Sequence, residues 1–155
     1  MLQQWFLYEN GHITEYDSVD KFPLNCVGFV YKITNIQTEK FYIGRKSLFS
    51  NTKKKLTKAE KALQTGPGRK PTSKRVIAEY NWINYWGSNK TILQEIKEGG
   101  TINFRKEILK FCYNKKQLTY WELYHQCINN VLLRDDCYND NVLAKFFRKD
   151  LVTPE

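Results

Sequence analysis

Two β-prone runs, Gly28-Phe29-Val30-Tyr31 and Tyr42-Ile43-Gly44, flank a polar turn-forming segment from Asn35 to Lys40. β-Branched and aromatic residues on both sides of such a segment specify a hairpin, with strands over 27–34 and 40–44. Each strand carries a tyrosine. Tyr31 and Tyr42 are eleven residues apart, so antiparallel pairing brings the two phenols close together on a surface a substrate can reach. By itself such a pair most often means cross-strand packing.

The remaining pattern surrounds this hairpin with helices. Upstream, Trp5-Phe6-Leu7-Tyr8 meets Asn10-Gly11, the strongest short hairpin turn, and the chain returns to Tyr16. Downstream, a short polar helix is expected over 56–64, and Thr65 to Pro71 breaks it. Ser73 suits the N-cap of a helix reaching about Trp86, with Val76, Ile77, Tyr80 and Ile83 as its apolar stripe. Gly87 ends that helix and Ser88 caps the next, over 89–98. A third strand is expected over 102–111. A longer helix follows over about 115–131, with Leu118, Trp121 and Ile128 apolar, and a short one at 142–147. This order predicts an α+β fold: a small three-stranded antiparallel sheet flanked by helices, with an additional N-terminal hairpin. One domain is expected over 1–155, comprising an accessory hairpin at 1–25 and a core at 27–147.

The charge is concentrated. The chain carries a net +9, and the stretch from Arg45 to Arg75 holds eleven basic residues against one acid, Glu60. A basic insert of this kind, about 45–75, is the electrostatic footprint of a polyanion partner. Lys53, Lys54, Lys55, Lys58, Arg69, Lys70, Lys74 and Arg75 are its candidate nucleic-acid contacts. Residues 51–55 and 65–71 are expected to be its least ordered parts, ordering on contact with nucleic acid. A membrane-surface role is disfavoured because the segment lacks an apolar face.

Other classes are excluded on composition. No apolar run approaches the ~20 residues that cross a bilayer, and the N-terminus has no basic, apolar and small-residue succession of a secretion signal. Cys26, Cys112, Cys127 and Cys137 fit no zinc spacing and suit thiols in a reducing cytoplasm. His125, two residues before Cys127, lacks the companions a metal site needs.

The hairpin resembles the signature of the GIY-YIG nuclease superfamily. Phe29-Val30-Tyr31 matches its first half, with Val for Ile and the glycine displaced to Gly28; Tyr42-Ile43-Gly44 matches the second intact. Lys32-Ile33-Thr34-Asn35 and the Tyr85-x-Gly87-Ser88 element, found in phage-type members, are also similar. The resemblance spans Val27 to about Phe147. It implies an endonuclease that hydrolyses phosphodiester bonds in DNA with Mg²⁺ or Mn²⁺. A stand-alone phage or mobile-element enzyme acting in the host cytoplasm is expected, because the chain leaves no room for a separate targeting domain. A homodimer would cut both strands and a monomer would nick. A nucleic-acid-binding protein on the same fold, for DNA or RNA but without catalysis, is the alternative.

Such hydrolysis needs an activated water, positive charge at phosphorus and support for the leaving oxygen. By resemblance, Tyr31 helps activate water and Tyr42 supports the attacking geometry. Glu122, four residues after Leu118 on the long helix, is the metal ligand, and Asn139 holds the site together. An ordinary phenol has a pKa near 10, so a base role for Tyr31 needs a nearby cation. Arg45 and Lys46, directly after Gly44, can supply it. The family's phosphate-contacting arginine has no direct counterpart at its usual spacing. Arg75 is the first candidate, ahead of Arg69 and Arg45, with Lys46 also open.

Overall fold

The computed structural model describes residues 4–154. The chain forms two compact units, one of residues up to Leu48 together with Asn81 onward, the other Phe49–Tyr80.

The larger unit is α+β, and its sheet is wider than the expected three strands. Strands β1 (Trp5–Glu9), β2 (His12–Tyr16), β3 (Gly28–Asn35) and β4 (Phe41–Ser47) belong to it. The fifth member lies beyond the insert. It spans Phe104–Cys112 and runs antiparallel to β3 but parallel to β1. The N-terminal hairpin is therefore part of the sheet, through a pairing of Trp5 with Lys106 that joins residues about a hundred positions apart in sequence. Local pattern could show the hairpin but not this docking, which makes the sheet five-stranded and mixed.

The smaller unit is also built differently from expectation. Residues 73–79 form a strand and not a helix: β5 (Phe49–Lys55) pairs antiparallel with β6 (Ser73–Glu79), and the short α1 (Lys58–Ala62) lies between them in sequence. Thr57 and Glu60 make a reciprocal capping box at the start of α1. The helical spacing of Val76, Ile77, Tyr80 and Ile83 was misleading because the cross-strand partner that decides the conformation is more than twenty residues away.

Two helices complete the larger unit. α2 (Lys90–Gly99) takes Asn89 as its N-cap, its side chain accepting from Thr91 and Ile92, so the cap falls one residue beyond Ser88. The strand Phe104–Cys112, β7, follows, then α3 (Lys115–Ile128), capped by Asn114. The sheet order is β2-β1-β7-β3-β4. In place of the expected terminal helix at 142–147, β8 (Asn141–Val142) and β9 (Phe146–Phe147) form a small ribbon.

The register of β7 against β3 shifts between Val30 and Tyr31, a bulge that leaves Leu109 as the extra residue. One face of the sheet therefore gathers Trp5, Phe29, Tyr31, Ile33, Phe104 and Ile108 under Trp82 and Ile92. The other gathers Val30, Ile43 and Cys112 against Leu118 of α3. Gly28, the displaced glycine of the motif, lies under this second layer: a Cβ there would stand 2.6 Å from the Lys46 carbonyl oxygen and 3.2 Å from Leu118. Among the described residues, no helix is long and apolar enough to cross a membrane.

Candidate active site

The β3–β4 turn is set by Asn35, whose side-chain oxygen accepts from the backbone N–H groups of Gln37 and Thr38. The resulting register places Tyr31 opposite Gly44 and Ile33 opposite Tyr42. The two phenols are thus diagonal neighbours on one face, with ring centroids 6.2 Å apart. Gly44 makes this possible. A Cβ at that position would meet the Tyr31 hydroxyl at 2.5 Å and the Tyr42 ring at 2.8 Å.

β4 is the edge strand, and the segment after α3 covers part of that edge. Phe41 N donates to the Asp136 carbonyl (3.1 Å) and Tyr138 N donates to the Phe41 carbonyl (2.7 Å). One step along, Asn139 replaces backbone with side chain. Its Oδ1 accepts from Ile43 N at 3.0 Å, and its Nδ2 donates to Ile43 O at 2.8 Å. Gln126 of α3 also donates to Ile43 O, at 3.0 Å. Arg148 fixes this covering segment from behind, its guanidinium donating to the carbonyls of Val131, Leu132, Arg134, Cys137 and Asn139. Asn139 was expected at the site. Gln126 and Arg148 were not, because nothing local marks a glutamine or arginine as a backbone clamp.

Beyond Ile43 the edge borders a cleft of about 630 Å³ lined by Tyr42, Arg45, Ser88, Glu122, Asn139 and Asp140, among others. Arg45 and Glu122 reach it from the opposite face to Tyr42, around the sheet edge. Glu122 is largely shielded and pairs with Arg45 (Nε to Oε2, 3.3 Å); Arg45 also donates to the Thr119 hydroxyl. Burial pushes the Glu122 carboxyl above its usual range, and the Arg45 charge works against that. Burial raises Tyr42 too, opposed by its hydrogen bond to Ser88 at 3.4 Å. Tyr31, with only 1% of its surface exposed, lies behind Tyr42. Burial, then Tyr42, then Tyr85 hold its phenol well above 10.

The segment bearing Tyr85, Gly87 and Ser88 is tied down by two side chains of the sheet. Trp5 Nε1 donates to the Trp82 carbonyl at 2.8 Å. Lys106, fully buried, donates to the Ile83 and Tyr85 carbonyls and lies over the rings of Trp5 and Trp86. Desolvation brings Lys106 down to about 7. Gly87 adopts φ +83°, and its Cα side faces Tyr31 and Tyr42 at a distance a Cβ would reduce to 3.4–3.5 Å.

The structure thus brings Tyr42, Arg45, Glu122 and Asn139 to one cleft, with Tyr31 behind it. Lys46 is on the tyrosine face, its ammonium 4.2 Å from the Tyr85 ring centroid. Arg75 and Arg69 belong to the other compact unit, as do Lys53, Lys54, Lys55, Lys58, Lys70 and Lys74. Among the described residues no three His, Cys, Asp or Glu side chains cluster as a metal site. A hard cation does not need three: Mg²⁺ commonly takes one or two carboxylates, with water and substrate phosphate as its other ligands. The oxygens of Glu122 and Asp140 on one cleft suit that donor set. Asp140 was not anticipated, being an unremarked neighbour of Asn139.

The larger unit thus combines a mixed sheet, paired tyrosines on its edge hairpin and a helical glutamate reached around the sheet edge. Residues 12–144 match the family model described as "Putative endonuclease segE, GIY-YIG domain", and the chain belongs to this GIY-YIG endonuclease family. No curated protein and no solved structure matches the chain.

Proposed function

We propose that the protein is a metal-dependent DNA endonuclease whose active site is the cleft at the β4 edge. The observation that carries this is the convergence of Tyr42, Arg45 and Glu122 on one polar cleft from opposite faces of the sheet. Tyr42 orients the attacking water. Tyr31, locked against Tyr42 and Tyr85, fixes that ring and can act as a base only as phenolate, a form that needs positive charge in the cleft to offset its burial. Arg45 contacts the scissile phosphate, in preference to Arg75, because it is the arginine that already shares the cleft with Glu122. Glu122 and Asp140 would hold Mg²⁺ or Mn²⁺, which when bound supplies Lewis-acid stabilisation of the leaving oxygen. Asn139 acts through Ile43, keeping the strand between Tyr42 and Gly44 in place.

The test is cleavage of supercoiled plasmid by purified protein with and without Mg²⁺, beside Glu122→Gln. Cleavage that needs the ion and falls at least ~100-fold in the variant is expected, with DNA binding in chelator unchanged within a few-fold. Equal cleavage by the variant removes Glu122 from the reaction. Salt-sensitive binding with no cleavage by the wild type favours the non-catalytic nucleic-acid-binding alternative. The ratio of nicked to linear product reports whether two sites act together.

A further inference from the structure

The Phe49–Tyr80 unit has two unlike faces. Residues directly paired across an antiparallel ribbon point the same way. The pairs Asn51–Ile77, Lys53–Arg75 and Lys55–Ser73 therefore share one face, and Thr52–Val76 and Lys54–Lys74 share the other. On the second face Lys74 is paired with Glu60 of α1 and Val76 is half-buried, while Thr52 and Lys54 are exposed. The first carries Asn51, Lys53, Lys55, Arg75 and Ile77, all exposed. Beside it a recess of about 360 Å³ is lined by Lys53, Arg69, Lys70 and Ser73, among others.

Resting on the endonuclease reading, we infer that this ribbon enters the major groove of duplex DNA through its Asn51–Lys53–Arg75–Ile77 face and contributes sequence preference. The dimensions favour that groove. Two strands ~4.8 Å apart, with their side chains, fill a groove ~12 Å wide and exceed the ~6 Å minor groove. The deep, narrow major groove of duplex RNA does not admit them. The chemistry agrees. Arginine pairs bidentately with guanine, asparagine with adenine, and an apolar side chain such as Ile77, with 70% of its surface exposed, packs on a thymine methyl. Lys53, Arg69 and Lys70 around the recess would meet the phosphates at the groove edge.

The experiment measures binding of the full chain to a panel of fluorescent duplexes in chelator, so that no cleavage intervenes. Methyl green, a major-groove ligand, should displace the protein, and distamycin, a minor-groove ligand, should not. Arg75→Ala and Asn51→Ala should each weaken binding to the preferred duplex roughly 5- to 100-fold and flatten the differences across the panel. Lys54→Ala, on the other face, should weaken all duplexes alike and leave the ranking intact. Circular dichroism of each variant confirms that the ribbon has folded. Displacement by distamycin alone, or an unchanged ranking in both face variants, overturns the inference while leaving the nuclease reading standing. Failure to bind any duplex overturns both.

Discussion

Removing the Asn139 amide should unfasten the strand that carries the paired tyrosines. The side chain is 2% exposed and makes two hydrogen bonds to one residue, accepting from Ile43 N and donating to Ile43 O. In Asn139→Ala the carbonyl keeps Gln126 as a donor, but the buried Ile43 N–H loses the acceptor it has here. A stranded buried donor costs about 1–3 kcal/mol, and the lost bonds add about 1 kcal/mol. The expected loss is therefore about 2–4 kcal/mol. With a urea m-value of about 2 kcal/mol/M, the unfolding midpoint should fall by roughly 1–2 M. Gln126→Leu is the internal comparison: it removes one of two donors on the same carbonyl, and its cost should stay near about 1 kcal/mol. Amide exchange gives a local readout, because Ile43 should lose protection in the alanine variant beyond the change in global stability. A midpoint shift below about 0.3 M, or unchanged relative protection at Ile43, would refute the view that Asn139 acts as a bracket on the β4 edge.

Two further substitutions probe the site from within. Gly44→Ala drives a methyl group into the Tyr31 hydroxyl and the Tyr42 ring; overpacking of this kind should cost about 1–3 kcal/mol in urea unfolding. The same change should reduce plasmid cleavage by more than the loss of folded protein explains, and a variant with wild-type stability and cleavage would sink the close-approach argument. Lys106→Met should change the pH dependence of stability. The Lys106 pKa is about 7 in the folded chain against an ordinary 10.5, so between those values the unfolded chain binds more protons. Wild-type stability should therefore rise with pH across that window, relative to the methionine variant, and flatten below about 7. The carbonyl and ring contacts favour the ammonium, so the span should fall short of the roughly 5 kcal/mol that the full shift would allow. Parallel pH–stability curves for the two proteins would contradict a neutral Lys106 above pH 7.

The hairpin and its two tyrosines were readable because their signals are local, whereas Glu122 was singled out through the family resemblance. Asn35 makes its own turn, alternation sets the two strands, and Leu118 marks which side of α3 is buried, with Glu122 one turn later. The failures share a cause. Residues 73–79 show helical spacing, yet pairing with 49–55 makes them a strand. Lys106 occupies an apolar face because the rings of Trp5, docked through the pairing of β1 with β7, and Trp86 flank its side-chain nitrogen while a backbone carbonyl accepts from it. That Arg45 meets Glu122 at the sheet edge is likewise visible only in the fold.

The sequence by itself determined the edge hairpin, the phenol pair and the basic character of the 49–80 unit, since turn chemistry, side-chain period and charge are properties of neighbouring residues; the nuclease family is carried by its motif resemblance and the family match. Tertiary structure alone decided which cation joins the carboxylate, how Asn139 and Arg148 secure the strand, and which residues share each face of the ribbon. Those outcomes depend on hydrogen bonds and pairings between segments about 20 to 100 residues apart in the chain, and such contacts leave no local periodicity to read.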